Sequence, residues 1–346
     1  MHRLPILVTA LLVSASGVRA DVPNIVVDIP PVFSLVSSVM QGVGTPKLLL
    51  RGNDSPHNFA LRPSQRRDLG QADIIFWIGD GLTPWLEKAQ ASLTQTPISV
   101  ALGEQTGVVQ LSFREGAFFE NHGDHDDHDD HDDHDGRGEV NGHTEHNRAE
   151  TRENAAAHDG KDHQDHAGHD HAGLDPHFWL DPQNAIHWIY TIADILSQKD
   201  PENAGTYYAN ATRTKASLEL LNKNIAQQMA PHRAERFLIV HDAFQYFEAR
   251  FGLAAQGAIS DGHAAPPSAA RILAIRKLMQ NQKISCVFAE PGYNAKLLDN
   301  LISETSVRLK QLDPLGAGLP LDHTLYEAVL QNMADMMVAC FTNDEG

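Results

Sequence analysis

"ADIIFWIGDGLTPWLEKAQASL", residues 72–93, decides the fold class. Within its first eight residues, Ile74 to Ile78 form a continuous apolar run rich in β-branched and aromatic side chains, the composition of a strand buried on both faces. Gly79, Asp80 and Gly81 close the run, and helical sequence around "PWLEKAQASL" follows at once. A strand that runs through a tight turn into a helix is the repeating unit of parallel α/β sheets.

The same grammar recurs outward in both directions. "NIVVDI" (24–29) precedes the helix "FSLVSSVM", "PKLLL" (46–50) makes a second strand, and "PISVAL" (97–102) a fourth. Late in the chain come "RFLIV" (236–240), "GLAAQGAI" (252–259), "KISCVFA" (283–289) and "VRLKQL" (307–312). Two lobes are expected, each a parallel sheet of about four strands flanked by helices. Between the groups, Asp200 and Pro201 open a helix that Pro231 ends, and residues 202–230 would make a rod about 43 Å long joining the lobes. Two ordinary helices packed on one sheet is the alternative. The expected division is a leader over 1–20, a first lobe over 21–199, a linking helix over 200–231 and a second lobe over 232–346.

The leader shows Arg3, an apolar run from Leu4 to Val13 and small residues ending at Ala20, which reads as a secretory signal peptide. That run is too short to cross a bilayer, which takes roughly 20 residues. An exported chain meets an oxidising compartment, where cysteines favour pairing; Cys286 and Cys340 are the two candidates. Thiolate ligation of a metal is the rival reading, but no CxxC spacing supports it.

The net charge of -18 argues against nucleic acid and anionic membrane surfaces as partners. Most of it is local: residues 120–173 carry 17 acidic and 4 basic side chains. They lie in an insert, residues 118–173, that also holds 12 of the 20 histidines in clusters such as "HGDHDDHDDHDDHD". With no apolar periodicity it cannot bury a core. Solvation alone would need only Asp and Glu, so the histidines point to metal. Many overlapping sets of two to four ligands, none preorganised, should bind metal with modest affinity.

Outside the insert, His57, His177, His241 and Asp313 fall just beyond strand ends, or, for His177, directly after the insert, where an α/β sheet places its ligands. Three imidazoles and a carboxylate suit Zn²⁺ better than Mg²⁺, Ca²⁺ or Mn²⁺. Their spacing alone is a weak signal, because scattered histidines are more often surface or core residues than ligands. Glu290, in "AEPGY", could orient a ligand histidine or serve as a cap or ion-pair partner. His187 reads as a helix residue; His232, His263 and His323 fall in loops; Trp77, Trp85, Trp179 and Trp188 read as core.

"SPHNFALRPSQRRDLGQADIIFWIG", "DPHFWLDPQNA", "FLIVHDAFQYFEARFGL", "CVFAEPGYNAKLL" and "LDPLGAG" resemble, in order from about residue 24 to the C-terminus, the signature blocks of the periplasmic zinc-binding proteins of zinc ABC transporters. The resemblance implies two α/β lobes joined by a long rigid helix, with one Zn²⁺ in the cleft. It implies His57, His177 and His241 as ligands. Asp313 matches a carboxylate that ligates directly in manganese-binding relatives, whereas Pro56 replaces a glutamate that some zinc binders carry. The fourth position stays open between Asp313, water and a side chain of the insert. Histidine at 241, where manganese binders carry a carboxylate, favours zinc. The resemblance further implies a Cys286–Cys340 disulfide, a monomeric binding protein rather than an enzyme, a membrane permease as partner, and an insert that gathers or senses zinc. A secreted zinc hydrolase lacks an HExxH-type helix, and a free-standing zinc store or chaperone is the remaining alternative.

Overall fold

The computed structural model describes residues 22–51, 54–114, 118–119, 173–260, 266–293, 295–303 and 305–343. The leader, residues 120–172 of the insert, and His263 lie outside the described residues.

Two parallel sheets carry the molecule. The first comprises β1 (Ile25–Val27), β2 (Lys47–Leu48), β3 (Ile74–Trp77) and β4 (Ile98–Ala101), in the order β2-β1-β3-β4. The second comprises β5 (Phe237–His241), β6 (Ala258–Ser260), β7 (Cys286–Ala289) and β8 (Arg308–Gln311), in the order β6-β5-β7-β8. Each strand lies inside the run of sequence expected for it, except that β5 and β6 each reach one residue further, to His241 and Ser260.

Helices α1 (Pro30–Val39), α2 (Pro63–Gly70) and α3 (Pro84–Gln90) serve the first sheet. Helices α6 (Gln245–Phe251), α7 (Ala269–Asn281) and α8 (Ala295–Ile302) serve the second. Between the sheets run α4 (Pro182–Lys199) and α5 (Ala204–Met229), packed on each other through a short 3-10 turn at Pro201–Asn203. Helix α5 is a long rod of about 39 Å and ties the lobes together. Asp200 ends α4, and its carboxylate accepts hydrogen bonds from Tyr207 Oη (2.7 Å) and Asn203 (2.7 Å). The chain closes with α9 (Leu325–Thr342), which packs on α1 and α5 as well as on β8.

Strand periodicity of two explains how the lobes are welded. Ile25, Val27, Ile74 and Phe76 of the first sheet and Phe237, Ile239, Cys286 and Phe288 of the second all face one continuous core, shared with α1, α4, α5 and α9. The alternate residues, Val26 and Ile75 or Leu238, Val240 and Val287, face two separate outer cores. Polar ties cross the same boundary: Trp179 Nε1 donates to the Pro314 carbonyl (2.8 Å), and Tyr326 Oη to the Trp179 carbonyl (2.7 Å). Cys286 and Cys340 form a disulfide that pins β7 to α9.

Candidate metal centre

Two loops and the end of a strand bring three imidazoles to one point. His57 sits in the loop between β2 and α2; Trp85 Nε1 donates to the neighbouring Pro56 carbonyl at 2.7 Å, and the Phe59 ring packs on the same indole at 5.2 Å. Trp85, read from sequence as core, is half-buried and braces this loop.

His177 is buried just before a 3-10 turn at Phe178–Leu180. Asp175 holds it twice, accepting from its main-chain N–H at 3.0 Å and meeting ring Nδ1 at 2.6 Å. His241 is the last residue of β5, and its Nδ1 faces Glu290 Oε1 at 3.1 Å. With the carboxylate ionised it only accepts, and the pairing then places the ring hydrogen on Nδ1 and makes Nε2 the metal-binding nitrogen.

One nitrogen from each of His57, His177 and His241 falls within 4.8 Å of the others, the distance over which a single ion can be shared. The ring centroids of His177 and His241 are 5.0 Å apart, and each lies 5.5 Å from His57. Among the described residues these three form the group able to hold a metal. A cavity of about 120 Å³ opens over them, lined also by Pro56, Glu290 and Asp313.

Asp313 reaches this cavity, but its own loop occupies it. Oδ1 accepts from the N–H groups of Leu315 (3.0 Å) and Gly316 (2.8 Å), and Oδ2 from that of Ala317 (2.7 Å). Among the described residues the other histidines stay apart: His187 is exposed on α4, His232 packs against Phe341, and His323 meets Gln41.

Of the carboxyl groups around the rings, Glu290 is the one held in its charged form. Burial pushes Glu290 up, yet the His241 and His177 rings outweigh it and bring its carboxyl below the ordinary value. Burial lifts Asp175 to about 7, opposed by its hydrogen bond from His177 and by the charge of Arg114. Asp242, next to His241, is likewise raised by burial to about 6 against the Arg114 bonds. Sequence reading assigned no role to Asp175, although its Asp-x-His spacing signals a carboxylate that orients a ligand ring.

The whole fold fits a known family model, described as "Zinc-uptake complex component A periplasmic", over residues 25–340. The chain belongs to that family. A high-affinity zinc uptake system protein ZnuA of Brucella suis biovar 1 is 37% identical over 94% of both chains. That of Paracoccus denitrificans is 36% identical over 98% of both. Among solved structures, a zinc-bound ZnuA deletion mutant shares the fold with a TM-score of 0.65 at 23% identity, over 91% of this chain and 98% of that one. Members of the periplasmic zinc-uptake family are solute-binding proteins and not enzymes, and their cargo is Zn²⁺.

Proposed function

We propose that His57, His177 and His241 hold Zn²⁺ in the cleft and that the protein carries it through the periplasm to the membrane permease of a zinc ABC transporter. The observation that carries this reading is the convergence of three imidazole nitrogens within 4.8 Å, two of the rings being oriented by carboxylates. A neutral nitrogen set of this kind suits zinc, which is bound tetrahedrally by imidazole at about 2.0–2.1 Å. We assign the fourth position to water, with Asp313 bracing its own loop through three main-chain donors.

The shared core and the α5 rod leave little freedom for the lobes to open, so release requires the permease to shift the His57 loop, the least buried of the three ligand segments. The leader over 1–20 directs export, and the monomer is the working unit. The insert gathers zinc for the cleft or signals when zinc is plentiful; its 12 histidines among carboxylates support this part of the reading.

The test is a zinc titration of the full mature chain against a competing chelator. One tight site that disappears in His241→Ala is expected. In a parallel chain, residues 120–172 are removed while Phe119, whose N–H donates to the Gln256 carbonyl at 3.1 Å, and Gly173 are kept. Loss of the tight site in that chain would move a ligand into the insert and overturn the assignment.

A further inference from the structure

Arg114 lies on a segment of the first half of the chain, yet its guanidinium is bonded to the second. Nε donates to Asp242 Oδ1 and Oδ2 at 3.1 and 3.2 Å, and Nη2 also donates to Asp242 Oδ1. Nη1 and Nη2 donate to Glu248 on α6 at 2.8 and 3.0 Å. The Phe119 ring lies 3.8 Å from the guanidinium carbon, and the side chain is mostly buried. One planar fork thus spans two buried carboxylates, a geometry that a lysine ammonium cannot reproduce.

Both ends of this fork lead to a ligand ring. Asp242 follows His241 directly, so fixing its carboxylate fixes the peptide from which the His241 ring projects. On the other side, Arg114 ends a short antiparallel ladder in which Ser112 bridges Leu174, Phe113 N–H donates to the Gly173 carbonyl (2.8 Å), and Asp175 N–H donates to the Leu111 carbonyl (2.8 Å). Tyr246 locks that ladder, accepting from Leu111 N–H at 2.9 Å and donating to the Asp175 carbonyl at 2.8 Å. Asp175 in turn carries the His177 ring.

We propose that Arg114 is a positioning residue for zinc: by clamping Asp242 and Glu248 from the ladder that carries Asp175, it holds the His177 and His241 rings at their binding separation. This inference rests on the assignment of those histidines as ligands. A second ion pair across the same boundary, Arg250 forked onto Asp181 at 2.7 and 2.6 Å, holds the start of α4 and makes no bond to a residue that carries a ligand ring. It is the natural control.

The experiment compares Arg114→Gln, Arg114→Lys and Arg250→Lys in the full mature chain. Zinc affinity is read by chelator competition, and site geometry by the visible absorption band of the first equivalent of Co²⁺. Both Arg114 variants should bind zinc about 10- to 100-fold more weakly, the range for loss of an outer partner of a metal ligand, with an altered cobalt band. Arg250→Lys should stay within threefold with an unchanged band. If Arg114→Gln fails to fold, Arg114→Lys, which keeps the charge and loses the fork, carries the test. A folded Arg114 variant with wild-type affinity and band overturns the proposal. So does an Arg250→Lys change as large as that of Arg114→Lys. His241→Ala, run alongside, separates the two levels: if it leaves tight binding intact, the ligand assignment itself has failed.

Discussion

The two sheets have the same strand order and the same register, and they use it differently. Aligning Ile74 of β3 with Cys286 of β7 superposes Ile29 on His241 and Ile78 on Glu290. These positions flank the point where strand order reverses, the crevice at the carboxyl ends of strands where α/β sheets bind ligands. In the first sheet two buried isoleucines fill it, and Asp28 stitches it shut by accepting from Ile29 N–H (2.8 Å) and Ile78 N–H (2.9 Å). In the second, the equivalent pair is His241 and Glu290, joined at 3.1 Å and lining the cavity. One scaffold therefore yields a plug or half of a metal site according to two side chains. The first sheet contributes to the centre from a loop instead, through His57.

Breaking the open crevice should have the largest effect. His241→Ala removes a ligand outright, and its zinc affinity in a chelator competition should fall by more than the roughly 100-fold that bounds the loss of an outer partner. The opposite end of the same sheet should be separable from binding. Cys286 opens β7 and Glu290 follows its far end, so Cys286→Ser with Cys340→Ser should lower the unfolding free energy by about 4 kcal/mol, on the chain-entropy account of a long loop, while one tight zinc remains. Urea unfolding with and without zinc measures both.

Glu290→Gln sharpens the contrast more finely. The amide can still meet His241 but cannot stabilise the ring hydrogen as a charge does, so affinity should drop by about tenfold with the stoichiometry unchanged. The closed crevice gives the smallest signal. Burial raises Asp28 to about 7, opposed by the main-chain N–H groups of Ile78, Ile29 and Asp28 itself. The folded state then holds a proton between the ordinary carboxyl value near 4 and pH 7 that the unfolded state has lost, so stability falls as pH rises through that window. Asp28→Asn should lower the urea midpoint, because one accepting oxygen is lost, and should flatten its decline between pH 4 and 7. A decline as steep as in the unaltered protein would show that Asp28 does not set it.

Much of this was legible in the chain. The strands fall on the runs expected for them, β5 and β6 reaching one residue further, because the central strands β1, β3, β5 and β7 are buried on both faces and read as hydrophobic segments whatever surrounds them. The linking helix began at Ala204 rather than residue 202, since Pro201–Asn203 forms a 3-10 turn tied to Asp200. The histidines could be named by resemblance but not by spacing, because each comes from a different segment and no local period relates them. Arg114 carried no signal at all: its partners Asp242 and Glu248 lie in the other half of the sequence, and an arginine before an acidic insert reads as solvated surface.

By itself, then, the sequence determined the elements, the parallel α/β class and the chemistry on offer, because backbone preference and hydrophobic periodicity act over a few neighbouring residues. Only the tertiary structure decided which strand faces share one core, which crevice is plugged and which is open, and which carboxylate orients which ring. Those outcomes depend on side chains far apart in the chain meeting within hydrogen-bond distance, and that meeting exists only once the two sheets are packed about their common helices.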